Sequence, residues 1–172
     1  MATMILLPDG ASGHTADWVA NIGTHAECLD DDNGDISYVA CSTDGRRLTV
    51  TYANPSVAEA DIASITSVQY LSSGRSTNRR NASVVTISFS APTLYFADIV
   101  SYDSHAFSYE TINGDVNTTS DGSNAWTYSD LENLEMRLDK NGTEEVRLSY
   151  FVLEVTYIPA AVDNSVFFGT NF

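Results

Sequence analysis

Apolar and polar residues alternate with a period of two over most of the chain. Such alternation predicts strands with one side in a core and the other in water. Turn-forming sequences such as TDG, SSG, INGD, TSDGSN and DKNGT separate the alternating segments. The segments are 36–41, 46–53, 63–72, 82–91, 93–102, 105–112, 134–139 and 144–158. This spacing predicts an all-β fold, an antiparallel two-layer β-sandwich of the jelly-roll or immunoglobulin-like kind.

The last two segments flank Asn141-Gly142, a pair that suits a two-residue turn. The pattern therefore predicts a hairpin in which the apolar residues of both strands share one face. These residues are Leu134, Met136 and Leu138 in the first strand and Val146 and Leu148 in the second.

The apolar phase changes by one residue within segment 144–158. Val146 and Leu148 are in step, and a second set follows one residue out of step: Phe151, Leu153, Val155 and Tyr157. A β-bulge near Ser149 and Tyr150 would return both sets to one face. Alternatively, the strand is buried on both sides. Either interpretation makes it the central strand of the fold.

One short stretch, YSDLENL, carries a helical signal. Ser129, followed three residues later by Glu132, predicts a capping box and a single helical turn. Trp126 stands just before it, and we expect its ring to close one end of the core, since large buried aromatics contribute mainly through area.

The chain has 172 residues and a formal net charge of −15, with 23 acidic and 8 basic residues. A chain this long can form one domain with its own core. The negative charge repels phosphate backbones, so we expect no nucleic-acid partner. Arg75, Arg79 and Arg80 cluster in a polar stretch, which predicts an exposed loop or a protein contact.

The N-terminus has no basic residue and an apolar run of only four residues, MILL. This is too short for a signal peptide or a membrane span, so we expect synthesis in a cytoplasm. Cys28 and Cys41 are then expected to be free thiols. A hairpin that turns at Asn33-Gly34 places Cys28 opposite Val39, whereas a turn at Gly34-Asp35 places it opposite Cys41 and permits a disulfide.

The stretch CLDDDNGDISYVAC, residues 28–41, concentrates carboxylates. Oxygen ligands of this kind suit calcium, but the spacing does not fit an EF-hand, because Asp35 stands where the glycine is needed. An irregular calcium site using Asp30, Asp32 and Asp35 is one interpretation. The other is a solvated acidic hairpin tip.

The sequence contains no recognisable catalytic motif. His14, His25 and His105 have no nucleophile elbow beside them. Glu144 and Glu145 are adjacent and would point to opposite faces of a strand, which does not suit glycoside cleavage. We therefore predict that the protein is not an enzyme and uses no cofactor.

The two ends of the chain are expected to lie outside the sandwich, with residues 1–14 an extension, 15–158 the domain and 159–172 an aromatic arm. Apolar residues at both ends are costly to leave in water, so each end either folds back or reaches another chain. The candidate contact residues are Ile5, Leu6, Leu7, Phe167, Phe168 and Phe172.

Two stretches resemble a β-sandwich module found in structural proteins of tailed bacteriophages. They are WTYSDLENLEMRL, residues 126–138, and the closing strand VRLSYFVLEVTY. The acidic stretch LDDDNGDISYV is similar to an early part of that module, and also to discoidin-like carbohydrate-binding domains. The resemblance implies a virion protein.

On this basis we expect a capsid decoration or cement protein that binds the major capsid protein without covalent bonds. It would be made in the host cytoplasm, reside in the virion and form a homo-oligomer, with a trimer favoured and no membrane contact. A tail or fibre component belongs to the same class. The alternative is a calcium-dependent carbohydrate-binding module in which exposed tyrosines stack on sugar rings, with Tyr52, Tyr70 and Tyr109 as candidates.

Overall fold

The computed structural model describes residues 1–78, 82–91, 95–102 and 109–161. Within these ranges eleven strands form two antiparallel sheets that enclose one core, so the fold is an all-β two-layer sandwich, as the alternation predicted. No helix in these ranges is long and apolar enough to span a membrane.

Sheet A contains the longest strands. Its order is β3 (Val19–Ala20), β4 (Val39–Cys41), β11 (Val146–Pro159), β6 (Ile62–Ser76) and β9 (Glu110–Asn113), with β1 (Ala2–Leu6) also paired to β11. Sheet B has the order β2 (Pro8–Gly13), β5 (Arg47–Tyr52), β10 (Glu135–Asn141), β7 (Ser83–Ala91) and β8 (Tyr95–Tyr102). The helical elements are α1 (His25–Leu29), α2 (Tyr128–Glu132) and a 3-10 turn at Glu59–Asp61.

Strand β11 lies in the interior of sheet A and carries the predicted bulge. Its pairing with β6 shifts register between Leu148 and Tyr150. The extra residue returns the second apolar set, beginning at Phe151, to the core face on which Val146 and Leu148 already lie. The prediction of a central strand with a bulge near Ser149 and Tyr150 is confirmed.

Helix α1 replaces the hairpin that was predicted for residues 28–41. Thr24 caps it, and Glu27 completes the capping box, so Cys28 is helical and buried. Strands β4 and β1 pair with the same side of β11 at its two ends, and α1 packs beside them against β11 and β2. The hairpin prediction is therefore wrong, because the capping residues upstream start a helix that the alternation does not reveal.

The predicted hairpin at Asn141-Gly142 is also wrong. Strands β10 and β11 belong to different sheets, and the turn between them crosses from one layer to the other. Both edges of β10 are occupied by β5 and β7, so β11 cannot pair with it. The apolar residues of β10 and β11 still face the same core, but from opposite sides.

Lys140 holds this crossing in place. Its side chain is buried, and its Nζ donates hydrogen bonds to the backbone oxygens of Asn141 at 2.7 Å and Gly142 at 2.8 Å. Burial lowers the pKa of this ammonium group. The only lysine of the chain is thus a structural residue inside the turn.

Helix α2 begins earlier than predicted. Thr127 is its N-cap and Asp130 completes the capping box, two residues before the Ser129 and Glu132 pair. Trp126 is buried as expected, with its ring 5.4 Å from that of Phe89 and its Nε1 donating to the backbone oxygen of Asn117. Its predicted core role is confirmed.

The N-terminal residues contribute a strand to each sheet rather than extending away from the domain. β1 joins sheet A and β2 joins sheet B. Leu6 is buried, whereas Ile5 and Leu7 are 40% and 45% exposed. Several other candidate residues lie outside the described ranges: Arg79, Arg80, His105, Phe167, Phe168 and Phe172.

Candidate functional site

The acidic segment that follows α1 lies on the outer face of sheet A. Asp35 bonds to arginines of β6 and β11, and Asp32 accepts a hydrogen bond from the hydroxyl of Ser149 at 3.2 Å. Gly34 packs against Tyr109, since a Cβ at this position would lie 3.4 Å from the ring. We call Asp35, Tyr38, Arg75, Tyr109 and Arg147 the Asp35 cluster.

Two arginines emerge side by side because their strands are in register. Arg75 of β6 pairs directly with Arg147 of β11, so both side chains leave the same face. Arg75 Nη2 lies 2.7 Å from Asp35 Oδ1, and Arg147 Nη1 lies 3.3 Å from the same oxygen. Arg147 Nε also pairs with Glu145 at 3.0 Å. The two positive charges are matched by two carboxylates.

Each arginine also lies over a tyrosine ring. The guanidinium carbon of Arg147 is 4.4 Å from the ring centroid of Tyr38, and that of Arg75 is 5.5 Å from that of Tyr109. The hydroxyl of Tyr109 is 3.4 Å from Asp35 Oδ1. Burial raises the pKa of Tyr109, and the Asp35 carboxylate raises it further. These contacts fix the side chains of the cluster in one arrangement.

The cluster leaves one acceptor and one donor without a partner among the described residues. All contacts that Asp35 makes within the described chain converge on Oδ1, and its side chain is 56% exposed. The second oxygen, Oδ2, makes none of these contacts. Arg147 similarly uses Nε and Nη1 within the described residues, which leaves Nη2 available.

Tyr150 adds an aromatic surface on the same strand. It is partly exposed on β11, just beyond the bulge. Partial burial raises the pKa of its hydroxyl, and the carboxylates of Asp32 and Glu154 raise it further. The outer face thus combines an anchored carboxylate, a guanidinium and aromatic rings.

The predicted calcium ligands do not converge. Asp30 ends helix α1, Asp32 bonds to Ser149, and Asp35 bonds to the two arginines. Burial and the neighbouring Asp31 raise the pKa of Asp30. In the described ranges no group of three His, Cys, Asp or Glu side chains is placed to hold a metal ion.

The other candidate residues have structural contacts. His14 Nδ1 accepts a hydrogen bond from the backbone of Arg47, and His25 Nε2 bonds to the backbone oxygen of Trp18. Cys28 and Cys41 are buried free thiols.

The tyrosines that were expected to stack on sugars differ in exposure. Tyr52 and Tyr70 are buried in the core, so the prediction that they are exposed is wrong. Both lie on inward positions of their strands, where alternation places the core face. Tyr109 is partly buried in the Asp35 cluster.

Sequence reasoning missed the pairing of Arg75 with Arg147 and the roles of Tyr38 and Tyr150. Arg75 was assigned to a loop, but it lies near the end of the 15-residue strand β6. The one available signal was the alternation itself, which places Arg147 on the outward side of the closing strand.

No family model and no curated protein matches the chain. Among solved structures it is similar to the CBM36-1 domain of a multidomain xylanase from the hindgut metagenome of Trinervitermes trinervoides. The identity is 12%, the match covers 94% of this chain and 100% of that one, and the TM-score is 0.44. It is also similar to CBM29_1, a family 29 carbohydrate binding module from Piromyces equi. There the identity is 10%, the coverage 90% and 91%, and the TM-score 0.43.

A third similar structure is a family two carbohydrate esterase from Cellvibrio japonicus, at 12% identity and a TM-score of 0.44. The match covers 94% of this chain but only 36% of the esterase chain. This chain therefore spans about a third of that protein.

Proposed function

We propose that the protein is a non-catalytic carbohydrate-binding domain whose ligand lies over the Asp35 cluster and Tyr150. The observation that carries the proposal is the unused pair formed by Asp35 Oδ2 and Arg147 Nη2. A sugar presents neighbouring hydroxyls, each of which donates and accepts a hydrogen bond. One hydroxyl donates to Asp35 Oδ2 while its neighbour accepts from Arg147.

Aromatic rings support the same proposal. Tyr38 contacts Arg147, and Tyr150 follows Arg147 by three residues on β11. Both are partly exposed, and rings of this kind supply apolar contact with a polar tip. The C–H face of a sugar ring is the apolar surface that such a contact requires. Ligand sites commonly combine aromatic lining with a few well-placed polar groups.

The cluster is held in place before any ligand arrives. Its arginines stand on the two longest strands of sheet A, and each is bound to a carboxylate and a tyrosine ring. Because the side chains are already ordered, binding costs little additional side-chain entropy. Rigid presentation of this kind suits binding to a polymer surface.

The same contacts argue against catalysis at this site. Glycoside cleavage uses a pair of carboxyl groups on opposite sides of the bond, one of them as an acid. Asp35 and Glu145 instead both form ion pairs with the one guanidinium group of Arg147. The proposal also needs no calcium, unlike the alternative drawn from the sequence.

The first experiment measures binding to a panel of soluble polysaccharides by affinity gel electrophoresis, followed by calorimetry on those that retard the protein. Asp35→Asn keeps the size of the side chain but removes its charge. We expect it to weaken binding about tenfold or more, because a hydrogen bond to a charged group contributes about 1.5–3 kcal/mol.

The matched control is Asp139→Asn. Asp139 also lies between two arginines, Arg47 and Arg137, but on the outer face of sheet B. This control should bind like the wild type. Equal loss in both variants would place the ligand elsewhere, and a wild type that no polysaccharide retards would overturn the proposal.

A second candidate function is assembly, as the resemblance to virion modules implied. The specific observation is the group of exposed apolar residues at the N-terminus, where Met1, Ile5 and Leu7 all reach solvent. Such residues suit contact with another subunit or a capsid protein. The native mass of the wild type and of an Ile5→Ser, Leu7→Ser variant tests this function. An oligomer that dissociates in the variant supports it, and a wild-type monomer at high concentration counts against it.

A further inference from the structure

We infer that the ligand of the Asp35 cluster is a neutral glycan, and that the acidic segment above sheet A excludes glycans bearing carboxylate or sulfate groups. This inference rests on the proposed function and specifies its ligand class. It follows from how the charges on the outer face are paired.

Both guanidinium groups of the cluster are already compensated. Arg75 is buried, and its Nη2 bonds to Asp35 at 2.7 Å. Arg147 divides its contacts between Glu145 and Asp35. An anionic group at Arg147 Nη2 would meet a guanidinium whose charge Glu145 and Asp35 already balance, and Asp35 would repel it, so it would gain little.

The surroundings of the cluster are negative. Among the described residues, the acidic segment carries Asp30, Asp31, Asp32 and Asp35, and Glu145 precedes β11 and pairs with Arg147. Glu154 lies farther along β11, near Tyr150. Asp32 and Glu154 lie near Tyr150, where their carboxylates add to the effect of burial in raising the pKa of its hydroxyl.

The whole chain adds to this repulsion, since its formal net charge is −15. Exposed charges act over about 10 Å at 0.1 M salt and over about 3 Å at 1 M. An anionic polymer is therefore excluded most strongly at low salt. A neutral sugar instead adds its hydroxyls to Asp35 Oδ2 and Arg147 Nη2 without displacing either side chain.

The test compares polymers that share a backbone but differ in charge. One pair is hydroxyethyl cellulose and carboxymethyl cellulose, and the other is methyl-esterified and de-esterified homogalacturonan. Retardation of the wild type in affinity gels is measured at 20 mM and 500 mM NaCl. We expect at least one neutral polymer to bind the protein with the same affinity at both salt concentrations. Its charged counterpart should bind at least tenfold more weakly than the neutral polymer at 20 mM NaCl.

Charge variants locate the source of the discrimination. Asp31→Asn with Glu154→Gln removes one charge from the acidic segment and one near Tyr150 on β11. Glu59→Gln with Glu132→Gln removes two charges from the 3-10 turn and α2. In the first variant, the ratio of the affinities for the neutral and the charged polymer should fall at least threefold at 20 mM NaCl. In the second variant, this ratio should stay the same.

The outcomes separate the two claims. A charged polymer that binds as well as its neutral counterpart at 20 mM NaCl overturns this inference alone. If both charge variants reduce the ratio of the two affinities equally, the inference is also overturned. The discrimination would then come from the net charge of the protein and not from the acidic segment. If no polymer of either pair or of the wider panel retards the protein, the proposed function fails and the inference fails with it.

Discussion

Asp35 and Asp139 each lie between two arginines on an outer face of the sandwich, but they use their oxygens differently. Asp139 forms ion pairs with Arg47 through Oδ1 and with Arg137 through Oδ2, so both of its oxygens have a partner. Asp35 forms ion pairs with both Arg75 and Arg147 through Oδ1 alone. At the residue scale, Asp139 is therefore fully used in structural ion pairs, whereas Asp35 keeps one oxygen that can accept a hydrogen bond from a ligand.

The contact between Gly114 and Tyr70 is a second feature at the residue scale. A Cβ at Gly114 would lie 2.0 Å from the Tyr70 ring. That ring is fully buried, and its hydroxyl bonds to Asp98 of sheet B. The backbone after β9 therefore approaches the ring more closely than any side chain permits.

We predict that Gly114→Ala destabilises the protein by about 1–3 kcal/mol, the usual cost of forcing extra atoms into a packed core. Urea unfolding followed by circular dichroism measures the change. The double variant with Tyr70→Leu should lose less stability than the two single variants together, because the smaller side chain removes the clash. If the two substitutions prove additive, the close approach is not the cause.

At the element scale, alternation predicted the strands well and their partners poorly. Each of the eight predicted segments overlaps one of the strands β4 to β11, because burial of one strand face produces alternation between neighbouring residues. The bulge in β11 was also visible, since it shifts that same local pattern. By contrast, β1, β2 and β3 were missed. β1 ends in a continuous apolar run, β2 consists mostly of Gly, Ala and polar residues, and β3 has only two residues, so none of them alternates.

The prediction of a hairpin at Asn141-Gly142 failed for a related reason. Asn141-Gly142 allows a tight turn, but the same pair also allows a crossing between layers. The choice depends on which strands occupy the edges of β10 and on the bonds of Lys140 within the turn. None of these partners is close enough in sequence for a local pattern to show them.

At the scale of the whole molecule, the buried tyrosines couple stability to alkaline pH. Burial raises the pKa of Tyr52, Tyr70 and Tyr102, which lie inside the core. An exposed tyrosine ionises near pH 10. The folded chain therefore keeps protons that the unfolded chain releases, so stability is fully present below about pH 10 and falls as the pH rises further.

We predict a loss of stability above about pH 10, with a slope of about 1.4 kcal/mol per pH unit for each buried tyrosine. Urea unfolding at a series of pH values measures it, with tyrosinate absorbance recorded in parallel. Tyr52→Phe should reduce the slope by the contribution of one tyrosine. We choose this residue because its hydroxyl makes only a 3.4 Å contact with the backbone oxygen of Phe151, so its removal disturbs little else. Full ionisation of the tyrosines in a chain that remains folded would contradict the prediction.

The sequence alone determined the fold class, the strands with strong alternation, the bulge in β11, the core position of Trp126 and the acidic character of residues 30–35. Each of these is a property of neighbouring residues or of composition. The tertiary structure decided which sheet each strand joins, that residues 25–29 are helical, and which groups Asp35 meets. The Asp35 cluster joins β6, β11 and the segment before β4, so its geometry depends on strand register across the sheet and not on any local pattern.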